Sequence, residues 1–309
     1  MGDEMLVNWF KLTQVRGLGP GKLQKLINIF HDTNAIFQAS DSDLKRTRLF
    51  TDEMLHEWNK LKGASNENFY NAISQCKENN IQIMPLYDKR YPKNLKSMPY
   101  PPKTLFLTGN ISLLKKRKIA IVGTRKPGGK ALEWTKEAAK QVSEAGYVIA
   151  SGGAEGIDYA AHAGAMEKGE TVCVFGTGLL HYFPLENKEL FDKIKKHGLI
   201  ISEHLPNFPG SRYAFIQRNR ITSGISDILF LVASTAQGGS MVQTKIACEQ
   251  RVPIFCPAMS LEIFPNEGIK QAISMFGAKE IHSIEELLEK LKAEKPTQMT
   301  LYSVEGEEI

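Results

Sequence analysis

Two spacings of apolar residues divide the 309-residue chain. Up to about residue 80 they recur at helical spacing, mostly three or four apart, with polar breaks: Leu6, Phe10 and Val15; Leu23, Leu26, Ile27 and Phe30; Met54, Leu55 and Trp58; Phe69, Ile73 and Cys76. One buried helix face has this period, so a small all-helical domain is predicted over 1–80. From about residue 81 the pattern becomes short apolar or β-branched runs: "TLFL" from Thr104, "KIAIV" from Lys118, "YVIAS" from Tyr147, "TVCVF" from Thr171, "LIIS" from Leu199, "DILFLV" from Asp227 and "PIFC" from Pro253. Helical stretches separate most of them. Strands apolar on both faces and joined by helices predict an α/β fold over 81–290, with a doubly wound, mostly parallel sheet covered on both sides. "YDKRYPKNLKSMPYPPK" reads as an extended connection between the domains, and 291–309 as a flexible acidic tail.

In an open parallel sheet ligands lie beyond the carboxyl ends of the strands. Four such places carry glycines and small hydroxyls: Gly123-Thr124-Arg125-Lys126, Ser151-Gly152-Gly153-Ala154-Glu155-Gly156, Gly176-Thr177-Gly178, and the run from Ser234 through Gly238-Gly239-Ser240. The first matches neither the GxGxxG of dinucleotide folds nor the GxxxxGK[ST] of the P-loop. Together the four predict an extended anion-binding rim, with ordinary turn chemistry as the alternative. "FIQRNRITSG" follows Ser211 and is read as leading into a short helix, bringing Arg218, Asn219 and Arg220 to one place; pairing with Glu203 or Asp227 is the competing role. Phe208, Tyr213 and Phe215 lie just upstream, and a core role is expected for at least two of them. In the helical region "VRGLGPGKLQKLI" resembles a helix-hairpin-helix, which aims a helix N-terminus at phosphate; a tight turn between packed helices is the other reading.

Composition adds exclusions. With 42% hydrophobic and 24% charged residues, the chain reads as a globular protein. No apolar run nears the length of a membrane span, and no secretory signal opens the sequence, so no membrane association and a cytoplasmic location are expected. Cys76, Cys173, Cys248 and Cys256 lack metal-ligand spacing, and with Cys173, Cys248 and Cys256 in apolar segments they are expected as buried, reduced thiols, without zinc. Asp158 and His162, four apart on one predicted helix face, are expected to share a hydrogen bond within that helix. No convincing nucleophile, acid–base pair, metal site or cofactor is evident. The net charge of +5 is uneven: residues 81–130 hold twelve Lys or Arg against Asp88 alone. That is either a polyanion footprint or a solvated basic face.

The strings "AIVGTRKPG", "ASGGAEGIDYAAH", "VFGTGLLHYFPLENKEL", "IISEHLP", "FIQRNRITSGIS" and "GGSMVQTKIACEQ" resemble, in order and spacing, the DprA (Smf) family of DNA-processing proteins, over about residues 85–275. The resemblance implies a Rossmann-like domain preceded by a sterile-alpha-motif-like one. It also implies a non-enzymatic, often dimeric protein that binds and protects single-stranded DNA in natural transformation and helps load the recombinase RecA. By position it assigns phosphate contacts to Gly123, Thr124 and Arg125, to Ser151, Gly152 and Gly153, to Arg218, Asn219 and Arg220, and to Gly239 and Ser240; Lys126, next in the first loop, is a further phosphate-binding candidate. Phe215 is the base-stacking candidate. The chain departs from the family where Glu155 replaces the usual Arg of the second loop, at Leu180 and Ala233, and in reading "CPA" for "VPG". Two alternatives remain. A nucleotide phosphoribohydrolase would carry PGGxGTxxE, but Met241, Val242 and Lys245 occupy its Gly, Thr and catalytic Glu positions. A small-nucleotide sensor would need a closed pocket.

Overall fold

The computed structural model describes residues 2–294. The expected tail therefore falls outside the described residues from 295 onward, while Leu291 is still helical. The chain divides into two compact units, residues 1–91 with 100–106, and residues 92–99 with 107 onward.

The first unit contains helices α1 (Asp3–Gln14), α2 (Pro20–Phe30), α3 (Thr33–Gln38), α4 (Asp41–Arg46), α5 (Asp52–Gly63) and α6 (Glu67–Glu78), then strand β1 (Gln82–Pro85). Strand β2 (Thr104–Gly109) begins in this unit and ends in the next. Asp32, Ser40 and Thr51 cap α3, α4 and α5, each side-chain oxygen accepting an amide of the first turn. Phe10, Val15, Leu23, Leu26, Trp58, Ile73 and Cys76 are buried, so the helical spacing does mark the core-facing sides. The glycine hairpin is the turn between α1 and α2.

The second unit opens with α7 (Lys93–Lys96). The connection is thus not simply extended: Leu95 and Met98 are buried against Gly224, which anchors it. Then β3 (Lys118–Val122), α8 (Gly129–Glu144), β4 (Val148–Ser151), α9 (Ile157–Ala165), β5 (Thr171–Val174), α10 (Lys188–His197), β6 (Leu199–Ser202), α11 (Arg212–Gly224), β7 (Ile228–Leu231), α12 (Gly239–Glu249), β8 (Ile254–Pro257), α13 (Glu267–Phe276), β9 (Lys279–Ile281) and α14 (Ile284–Ala293) follow. The strands lie in the order β6-β5-β4-β3-β7-β8-β9, each neighbouring pair parallel.

The chain winds outward from β3 to β6 and returns beside β3 as β7, so the topological switch point lies between β3 and β7. Alternation along β3 sends Ile119 and Ile121 into one core with residues of α8, α9 and α14, and Ala120 and Val122 into the other with α12 and α13. Both faces being covered explains why the strands read as unbroken apolar runs.

Candidate nucleic-acid interface

Parallel strands bring the four loops out at one edge of the sheet, but hydrogen bonding closes part of it. The Thr124 amide donates to the Ala233 carbonyl at 2.8 Å, tying the loop after β3 to the loop after β7 across the switch point. The Ile157 amide donates to the Thr124 carbonyl at 3.2 Å. Gly156, at φ +76°, packs so tightly that a Cβ would come within 2.5 Å of the Thr124 carbonyl oxygen and 2.7 Å of that of Arg125; its backbone conformation also favours glycine.

The edge opens instead over β3, β4 and β5, as a cavity of about 290 Å³. Arg125, Gly153, Ala154 and Glu155 line it from the first two loops, and Val174 to Gly176 from the end of β5. Phe183, Pro184 and Glu186 come from the segment before α10, and Phe215 and Arg218 from α11. The rings of Phe183 and Phe215 pack with centroids 4.9 Å apart and planes tilted by 40°.

"FIQRNRITSG" is itself helical within α11, capped by Ser211, whose Oγ accepts the Ala214 amide at 3.1 Å. Successive residues on a helix point about 100° apart, so Arg218, Asn219 and Arg220 do not converge. Arg218 turns inward, is buried, and donates from Nη1 to the Val174 carbonyl at 2.5 Å. Its Nε is buried without a hydrogen-bond partner among the described residues. Burial pushes its pKa down, while the negative Asp158 opposes that shift. Burial in turn raises the Asp158 carboxyl above the ordinary range, against the positive Arg218. Arg220 donates instead to Glu203 at 2.5 Å, the pairing role foreseen as its alternative; Asp227 pairs with Arg117 at 3.1 Å.

Of the expected phosphate contacts, Arg125, Gly153 and Arg218 line the cavity, as does the stacking candidate Phe215. Lys126 is exposed beside it in sequence. The other groups are absent from the cavity lining, and most of them are committed within the fold. Ser151 is buried and donates to the Ile121 carbonyl at 2.6 Å. Gly152 lies over the Arg218 guanidinium. Ser240 shares a 2.8 Å hydrogen bond with Ser234 and Asn219 is buried, whereas Gly239 is exposed at the start of α12. Gly123 packs against Ile157 and Ala233. Sequence reasoning passed over Phe183, Pro184 and Glu186, although all three stand in "VFGTGLLHYFPLENKEL", one of the strings that carry the resemblance.

Four further expectations are corrected. None of Phe208, Tyr213 and Phe215 is a core residue: Tyr213 is 70% exposed, Phe208 stacks on His204 with centroids 4.3 Å apart, and Phe215 is partly covered. His162 makes no hydrogen bond with Asp158; its Nε2 lies 2.6 Å from the Gly152 carbonyl and its Nδ1 2.7 Å from Thr171 Oγ1, because the ring points into the sheet rather than along the helix. Cys248 is exposed, on the outward side of α12. The basic stretch is no unbroken footprint. Arg90, Lys116, Arg117 and Lys130 pair with carboxylates, Lys103 donates to the Thr13 carbonyl, and Lys118 is buried among the carbonyls of Leu113, Leu114 and Lys116.

Residues 82–292 match the family model of DNA recombination-mediator protein A. The chain belongs to the DprA family. The DNA processing protein DprA of Bacillus subtilis is 37% identical over 231 residues, which cover 73% of this chain and 77% of that one. Among solved structures, DprA of Streptococcus pneumoniae superimposes with a TM-score of 0.77 at 25% identity, covering 92% of this chain and 97% of its own. DNA processing protein A of Helicobacter pylori, studied for its single-stranded DNA binding mode, gives a TM-score of 0.63 at 28% identity, covering 69% and 96%. Placed in this DprA-family frame, the cavity lies within the matched residues.

Proposed function

We propose that this chain binds single-stranded DNA at the edge formed by the loops after β3, β4 and β5. The observation that carries the reading is the arrangement of the cavity: two guanidiniums, Arg125 exposed at its mouth and Arg218 buried in its wall, beside the aromatic pair Phe183 and Phe215. Guanidinium with exposed aromatic surface is the combination that holds a strand whose bases are unpaired, since phosphate meets charge and a base finds a ring to stack on. Duplex DNA keeps its bases stacked internally and gains nothing from the rings. Backbone contacts carry no sequence information, so binding along the edge is largely sequence-independent. The relative studied for single-stranded DNA binding shares the fold over 69% of this chain.

The role is that of a binding protein rather than an enzyme. Strand protection, RecA loading in natural transformation and action as a homodimer in the cytoplasm are the finer parts of this proposal, and they rest on family membership. No helix of the described residues is long and apolar enough to cross a membrane. The test is fluorescence anisotropy of a labelled oligo-dT with wild type and Arg125→Ala, at low and high salt, with duplex as competitor. Salt-sensitive binding that duplex does not displace and that Arg125→Ala weakens supports the reading. No binding by the wild type overturns it and turns attention to small nucleotides.

A further inference from the structure

The cavity contains two groups that a phosphate track does not explain. Glu155 and Glu186 both line it and both are exposed, and neither carboxylate is paired within the described residues. A carboxylate repels phosphate, so a cavity serving the backbone alone would be better without them. Their neighbours suggest another tenant. Phe183 is 50% exposed and offers an open ring face braced from behind by Phe215. The volume of about 290 Å³ sits near the lower end of the roughly 300–1,000 Å³ typical of small-molecule pockets, which suits a single nucleoside and not a run of nucleotides.

From these features we infer that Glu155 and Glu186 give this cavity a preference for guanine over the other bases of the bound strand. The base stacks on Phe183 and turns its pairing edge to Glu155 or Glu186, while Arg125 at the mouth keeps the adjoining phosphate. Guanine presents N1–H and the N2 amino group side by side, two donors that match the two oxygens of a carboxylate. Cytosine and adenine offer one amino group each. Thymine offers a single N–H flanked by carbonyl oxygens, which the carboxylate repels. Glu155 thereby gains a role: it stands where the family resemblance leads one to expect Arg, and it reads a base instead of opposing the backbone. This inference rests on the single-stranded DNA reading and adds one position of base preference to it.

The experiment is competition against a labelled oligo-dT by short dT oligonucleotides carrying one central dG, deoxyinosine, dC or dA, with the full chain and with Glu155→Gln, Glu186→Gln and the double variant. Each protein's affinity for plain dT is its own reference. The dG oligonucleotide is expected to compete on the order of tenfold better than plain dT, deoxyinosine, which lacks the N2 amino group, less well, and the double variant to lose the ranking. Equal competition by all oligonucleotides, with dT binding intact, overturns the guanine preference assigned to the carboxylates and leaves strand binding standing. A dG preference that survives in the double variant also overturns it, because the carboxylates would then not be the readers. Absence of any strand binding is a different failure, that of the DNA reading itself.

Discussion

The guanidinium of Arg218 fills the space that a side chain at position 152 would need: a Cβ on Gly152 would lie 2.0 Å from Nη1 and 2.4 Å from Nη2. The second loop is therefore folded onto a buried charge. Gly152→Ala should displace Arg218 and lengthen its bond to the Val174 carbonyl, destabilising the protein by roughly 1–3 kcal/mol. Urea unfolding measures this. A variant as stable as wild type would mean that the loop can lift away from the guanidinium.

Arg125 and Arg218 line one cavity but differ in what their loss should do. Arg218 is buried near the buried Asp158, so Arg218→Met leaves that carboxylate without its counter-charge and should cost about 3 kcal/mol of stability. Arg125 is exposed, and Arg125→Ala should leave the unfolding midpoint nearly unchanged. Its effect belongs to binding: weaker affinity for oligo-dT, and a slope of log affinity against log salt shallower by about 0.7, the share of one phosphate contact on a single strand. An unchanged slope would remove Arg125 from the phosphate path.

Arg220 stands only two residues from Arg218, yet its partner is Glu203, and both side chains are largely covered, at 17% and 16% exposure. Glu203→Gln and Arg220→Gln should each lower stability by about 1–3 kcal/mol. The double variant should lose less than the sum of the two, as a thermodynamic cycle on chemical denaturation would reveal. Strand affinity should change far less in Arg220→Gln than in Arg125→Ala.

His162 supplies a pH dependence. Burial lowers its pKa from the ordinary 6.5 to about 4, so the folded protein holds a neutral ring, whose Nε2 proton is donated to the Gly152 carbonyl. Between pH 6.5 and 4 the unfolded chain binds a proton that the folded one refuses. Stability thus falls as pH is lowered through that window, by about 3 kcal/mol in all. Asp158, its carboxyl raised by burial, contributes the opposite slope in acid. Comparing wild type with His162→Gln by urea unfolding at pH 7 and pH 5 isolates the histidine, and the variant should show the smaller loss.

Much of this architecture is written locally. All seven apolar runs became strands, because a strand buried on both faces must be apolar throughout, and the helical spacing of the first eighty residues gave its helices. Strands β1 and β9 escaped notice since they are short and only partly buried, with patterns such as Lys279-Glu280-Ile281. The site was legible only as a set of loops. Whether an Arg faces solvent or core depends on its angular position around a helix, and because α11 already begins at Arg212, upstream of the Arg218–Arg220 stretch, the two guanidiniums point in different directions and form no cluster. The aromatic wall was missed for another reason: Phe183 reaches the cavity from a segment with no regular period, where only assembly in space brings it to Phe215.

The bond from the Thr124 amide to the Ala233 carbonyl bears on how fast the edge can respond. Two loops clamped across the centre of the sheet cannot part without rupturing main-chain hydrogen bonds, so a ligand meets a surface already in its final shape. Association should then proceed in a single concentration-dependent phase with no slow isomerisation, and the Thr124 amide should be among the last of the loop protons to exchange with deuterated solvent.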